Sequence, residues 1–260
     1  MLSISYDSTF DGFLCVVFEI YRQHLDVGEI LPDREDCTPS DLFLQPFRIE
    51  TSEESAARLR RAISNQAGPE ILTTLDVAFR SEAKGIEMKI LAYLRKMFSG
   101  NDPSYARNPT SDEMLPIFMT ARSVRREAGD MLGMVRFSRM PDGTYFSEIE
   151  PKYDILEMMV GHFRGRFANE KWVIYDSKRG FGVYYDGSAS GSQRHPVEIA
   201  IPDIRQVSAV SQTDDFVKLW QDYYRSIAIK ERENPRLLRR CLPVRYWKHL
   251  PERQFSSKWV

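Results

Sequence analysis

Residues 123–187 constrain the fold more than any other stretch, because they read as one order of elements occurring twice. In the first pass a basic helix over Ser123–Met131 runs into MVRFS. A turn at Pro141-Asp142-Gly143 reverses the chain, and TYFSEIE leads back. In the second pass a helix over Lys152–Phe167 carries Ile155, Leu156, Met159 and Phe163 at helical spacing. It continues into WVIYD, a turn around Lys178-Arg179-Gly180, and FGVYYDG. Glycine in each turn supplies the positive φ that tight hairpins favour. Val, Ile, Tyr, Phe and Trp fill the arms, as in half-buried strands. Two helix–hairpin units in succession predict an α+β fold, with four strands in an antiparallel sheet and helices packed on one face.

The flanking segments read differently. Ser3–Tyr6 is a short strand, and Asp7-Ser8-Thr9 supplies the cap for a helix with Phe10, Phe13, Leu14, Val17, Phe18 and Tyr21 along one face. Residues 26–46 carry acids and three prolines and predict a surface loop broken by short elements. FRIET is a strand and 51–68 a helix, and 70–99 is mostly helical with a break near Ser81–Gly85. This gives a mostly helical part over 1–110 and an α+β part over 111–260 ending in a basic segment, with one continuous core as the alternative. Beyond the repeat lie a Gly/Ser-rich loop, the strand VEIAIP, and a helix capped by Asp214. Its stripe of Phe216, Leu219, Trp220, Tyr223, Tyr224 and Ile227 reads as core.

Several function classes are excluded by what the sequence lacks. No run approaches the roughly 20 apolar residues of a membrane span, and no leader pattern opens the chain, so a cytoplasmic protein is expected. Cys15, Cys37 and Cys241 have neither disulfide nor metal spacing. There is no P-loop, no GxGxxG after a strand, no CxxxCxxC and no GxSxG, so no cofactor is expected and no radical chemistry of the chain's own. The net charge of −1 conceals an asymmetry: Asp26–Ser55 holds nine acids and two bases, whereas Lys230–Val260 holds nine bases and three acids. Such blocks mark either an interaction face or a lopsided solvated surface.

The candidate residues each carry a functional and a structural reading. Asp7 and Asp11, four apart, suit a general base or a shared cation, or else helix capping and dipole compensation. His162, the one histidine of the repeat, suits acid–base work; a structural residue near a helix end beside Arg164 and Arg166 is the alternative. Lys178 and Arg179 at a hairpin tip, with Tyr184 and Tyr185 on the return strand, combine cation and ring as a single strand of nucleic acid requires. The C-terminal block is the strongest such signal. Arg232, Arg236, Arg239, Arg240, Arg245 and Lys248 interleave with Tyr246 and Trp247, and Arg236, Arg239 and Arg240 share a helix face. Docking on the chain's own acidic segment, or on an acidic partner, competes with that reading.

Three segments together carry a family resemblance: YDSTFDGFLCVVFEIY at the start, REAGDMLGMVRF through WVIYDSKRGFGVYYDG in the middle, and NPRLLRRCLPVRYWKHLPE at the end. From Tyr6 to Leu250 the chain resembles the bacterial family labelled "probable DNA metabolism protein", a domain of unknown function. Members are encoded beside a radical-SAM protein described as a DNA modification or repair enzyme, and some are fused to a uracil-DNA glycosylase-superfamily domain. This chain corresponds to the stand-alone form. It departs from the family pattern at Gly129 and Asp130, where relatives carry a histidine and a basic residue. The resemblance implies a role in DNA metabolism or repair, with DNA and the radical-SAM protein as partners, and implies no reaction. Three readings follow: a non-catalytic nucleic-acid-binding subunit of that enzyme, an enzyme acting on a modified nucleobase through Asp7, Asp11 or His162, and a protein–protein adaptor.

Overall fold

A computed structural model describes residues 2–34, 45–100, 104–187, 197–199, 215–227, 229 and 234–254. Residues 35–44 of the acidic stretch, the Gly/Ser-rich stretch 188–196, the cap at Asp214 and Arg232 lie outside the described residues. The fold is α+β, and the chain divides into two compact units, Met1–Arg125 and Arg126–Val260.

The first unit is built around a small parallel sheet, in the order β2-β1-β3, formed by β1 (Leu2–Tyr6), β2 (Val27–Pro32) and β3 (Phe47–Arg48). Parallel neighbours need a crossover, and helix α1 (Phe10–Gln23) supplies it between β1 and β2. The stretch 26–46 is therefore a strand at its start, which its Gly, Glu and Pro content obscures. Helices α2 (Glu53–Ala67), α3 (Pro69–Phe79) and α4 (Ile86–Phe98) follow. Tyr6, Phe10, Phe13 and Phe79 form the aromatic centre, with Phe10 and Phe13 rings 5.4 and 5.7 Å from Phe79. The Tyr6 hydroxyl donates to the buried Glu87 carboxylate at 3.1 Å.

The motif YDSTFDG is a helix-entry device. Thr9 is the N-cap of α1, its hydroxyl accepting from Gly12 N–H at 2.9 Å. Asp7 accepts from Thr9 N–H (3.0 Å), the Thr9 hydroxyl (2.7 Å) and the Thr51 hydroxyl (2.6 Å), which ties β1, α1 and the approach to α2 together. Glycine is required at position 12, because a Cβ there would lie 2.1 Å from the Asp7 carboxylate and 2.9 Å from the Thr51 hydroxyl. Gly12→Ala is expected to cost about 1–3 kcal/mol by overpacking, read as a lowered urea midpoint at unchanged slope. Partial burial pushes the Asp7 carboxyl up, but the donations from Thr51 and Thr9 outweigh it and leave its pKa below the ordinary value. A carboxyl held low in the folded state stabilises above its unfolded pKa of about 4 and loses that contribution as pH falls through the folded value. Asp7→Asn is therefore expected to flatten the acid limb of a stability–pH profile below about pH 4.

The second unit contains the repeat. Helix α5 (Met114–Leu132), whose residues fall in both units, leads into β4 (Ser138–Arg139) and β5 (Tyr145–Ile149); α6 (Leu156–Arg166) leads into β6 (Trp172–Asp176) and β7 (Phe181–Tyr185). With β8 (Val197–Ile199) they form a five-stranded sheet in sequence order. Both hairpins are antiparallel, and Gly143 and Gly180 take φ of +85° and +75° in their turns. The join between the two helix–hairpin repeats is not antiparallel: β5 pairs with β6 in parallel, Tyr145 opposite Trp172 through Ile149 opposite Asp176. The reason is the repetition itself, since α6 carries the chain back and the second repeat enters in the same direction as the first.

Beyond the sheet lie α7 (Asp215–Ile227), α8 (Pro235–Cys241), a 3-10 turn (Val244–His249) and α9 (Pro251–Gln254). Of the stripe expected to be core on α7, Leu219, Trp220, Tyr223 and Ile227 are exposed and Tyr224 is half-buried. The helix meets α9 along its 220–221 edge, where Trp220 Nε1 donates to Glu252 at 3.0 Å and Gln221 to Pro251 O at 3.1 Å. Leu219, Tyr223 and Ile227 stay exposed beside that contact. Among the described residues no helix is long and apolar enough to cross a membrane.

Candidate nucleic-acid interface

Three segments of the second unit converge on a groove of about 520 Å³. The first is the turn after α5, where Met134 and Val135 N–H groups bond to Met131 O and redirect the chain. The second is the first hairpin, and the third is the last two turns of α6. The rings come from Phe137, Tyr145 and Phe167, over a buried Phe163. Phe137 meets Phe163 and Phe167 edge-on at 5.5 and 5.3 Å, while Tyr145 and Phe167 lie near-parallel, 28° apart with centroids 6.4 Å apart. Arg136, Arg139, Arg166 and His162 supply the polar wall, and no Asp or Glu lines the groove among the described residues.

The charges differ in how they are held. Arg136 is fixed: its Nη1 donates to Gly133 O and Val135 O at 2.8 and 3.1 Å, its Nη2 to Glu252 at 2.9 Å, and the Trp220 ring lies 5.3 Å from its guanidinium. Arg166 is exposed at the end of α6, with its guanidinium 5.9 Å from the Phe167 ring centre. Arg164 is likewise exposed on the last turn of α6, and Arg139 is exposed at the first hairpin. His162 is exposed and meets Phe163 edge-on at 5.1 Å.

The residues singled out from the sequence fall into distinct groups. His162 alone among the three acid–base candidates lines the groove. Asp7 holds the α1 entry, and Asp11 accepts from Arg60 at 2.8 and 2.5 Å. At the second hairpin, Arg179 Nη1 donates to the fully buried Asp176 at 2.7 Å and the Lys178 ammonium to Lys152 O at 2.8 Å. Burial pushes the Asp176 carboxyl up against the opposing pull of Arg179. Tyr185 stacks on Trp172 at 5.4 Å and donates to Ala168 O, and Tyr184 packs against the cluster of Phe146, Val173 and Tyr175. All four side chains make contacts within the second unit, and Lys178 is exposed.

The C-terminal block splits in two. Arg245 and Tyr246 both donate to Glu127 on α5, a buried carboxylate that also accepts from Lys152 and Tyr153 N–H at 3.0 and 2.8 Å. Burial and the Glu127 hydrogen bond push the Tyr246 hydroxyl well up. Lys248 donates to Glu150, and Trp247 Nε1 to Leu242 O at 3.0 Å. Arg236, Arg239 and Arg240 on α8 are exposed and make no ion pair among the described residues.

Sequence reasoning missed Arg136, Phe137, Arg139, Tyr145 and Phe167. The available signal was RFSR beside the first hairpin: the cation-and-ring combination recognised at the second hairpin stands there too, on a shorter strand that leaves its side chains accessible.

Fold and groove together define an α+β protein with a basic, aromatic-lined cleft at one end of a repeated helix–hairpin sheet. The chain belongs to the family described as a domain of unknown function, DUF4130, which matches residues 84–252. That span includes every groove residue and Glu252. No curated protein and no solved structure matches the chain.

Proposed function

We propose that this protein is a non-catalytic polynucleotide-binding subunit acting in DNA metabolism, which holds DNA for a radical-SAM modification or repair enzyme. The observation that carries the binding role is the groove, where arginines and half-buried rings meet with no carboxylate on the wall among the described residues. Phosphate supplies the affinity in such a site and rings supply contact with bases. The exposed arginines of α8 extend the same chemistry. The non-catalytic role is supported by the local structural work of Asp7 and Asp11, and the radical-SAM partner follows from the family resemblance. The test is fluorescence anisotropy of a labelled oligodeoxynucleotide with the purified chain, alone and with the co-expressed radical-SAM protein, across a salt series. Binding that weakens steeply with salt is expected. No binding at low salt in either preparation would refute the reading.

A further inference from the structure

We infer that the groove takes an unpaired strand and holds one of its bases against the Tyr145 and Phe167 rings, with the adjoining phosphates on Arg139 and Arg166. This rests on the polynucleotide reading and specifies its ligand. The rings are walls of a recess, not a flat surface: Phe137 closes it edge-on and Phe163 forms its buried floor. A duplex keeps its base faces stacked on one another and shows only their edges in the grooves, so ring faces inside a recess have nothing to meet on it. An unpaired base has a free face, and stacking on protein rings is how sequence-tolerant single-strand binders hold it. The volume of about 520 Å³ lies within the range of small-molecule pockets and suits one nucleotide rather than a helix. Tyr145 and Phe167 lie near-parallel, 6.4 Å between centroids, so a modest separation would admit a base between them. The cations stand at the rim, where Arg139 and Arg166 are exposed.

Anisotropy titrations of the full chain against short oligothymidylate, the matching oligouridylate and a duplex of equal length test this. Tyr145→Leu and Phe167→Leu keep apolar volume and remove the ring, and circular dichroism verifies their fold. Tighter binding of the single strands than of the duplex is expected, together with a loss of roughly tenfold or more in single-strand affinity for each ring variant. A preference between the two single strands would name the sugar within the same assignment. Duplex binding as tight as single-strand binding, or unchanged single-strand affinity in both folded ring variants, would overturn the stacking assignment while polynucleotide binding stands. Should Phe167→Leu fail to fold, Tyr145→Leu, at the half-buried first residue of β5, decides alone. Absence of binding to all three ligands would instead overturn the polynucleotide reading.

Discussion

Glu127→Ala is expected to destabilise the second unit by about 3 kcal/mol or more, the range for removing one partner of a buried polar cluster. The carboxylate satisfies two backbone N–H groups, of Lys152 and Tyr153, and the hydroxyl of Tyr246, which is only 3% exposed. Each donor left without an acceptor in a buried place costs about 1–3 kcal/mol. Arg245 adds little, because its side chain is half exposed and water screens it. The measurement is urea unfolding followed by tryptophan fluorescence. A loss below about 1 kcal/mol would mean that water replaces the carboxylate and that the cluster is not closed. A second readout follows from Tyr246. Its folded pKa is raised, so the stability it confers is complete below the unfolded value of about 10 and declines as pH rises above it. Tyr246→Phe is expected to shrink that alkaline decline.

Arg139→Gln combined with Arg166→Gln is expected to lower DNA affinity by a hundredfold or so at low salt and to reduce the salt dependence. On single strands each lost phosphate contact lowers the slope of log affinity against log salt by about 0.7. Arg136 is a poor choice for this test, since its removal would unpair Glu252 as well. The companion variant Arg239→Ala with Arg240→Ala probes α8. Equal losses in both would describe one continuous basic track, whereas a loss only in the α8 variant would move the interface away from the groove. Both pairs are exposed and lie outside the core, so their folds are expected to survive.

The sequence carried the α+β class and the two hairpins because their determinants are local: β-branched and aromatic arms around glycine turns. The parallel join of β5 to β6 was hidden, since it depends on how the two repeats meet. Strand β2 was hidden as well, because Val-Gly-Glu-Ile-Leu-Pro offers a broken alternation and pairs with residues far upstream. His162 and the α6 arginines were legible as candidates. The groove was not, because its walls come from segments that only tertiary structure brings together. The C-terminal charges show the same limit. Arg245 and Lys248 look like their exposed neighbours in composition, yet their acceptors, Glu127 and Glu150, lie 118 and 98 residues earlier.

The tie between Arg136 and Glu252 has a practical corollary for anyone trimming this protein to a minimal fragment. A cut placed after the last strand would spare the sheet and the described side chains that line the cleft, yet would remove both Glu252 and Trp220 and so release the Arg136 guanidinium from its anchor and its ring contact. Fragments meant to report on ligand capture should therefore run past Gln254, even though among the described residues none beyond 167 lines the cavity.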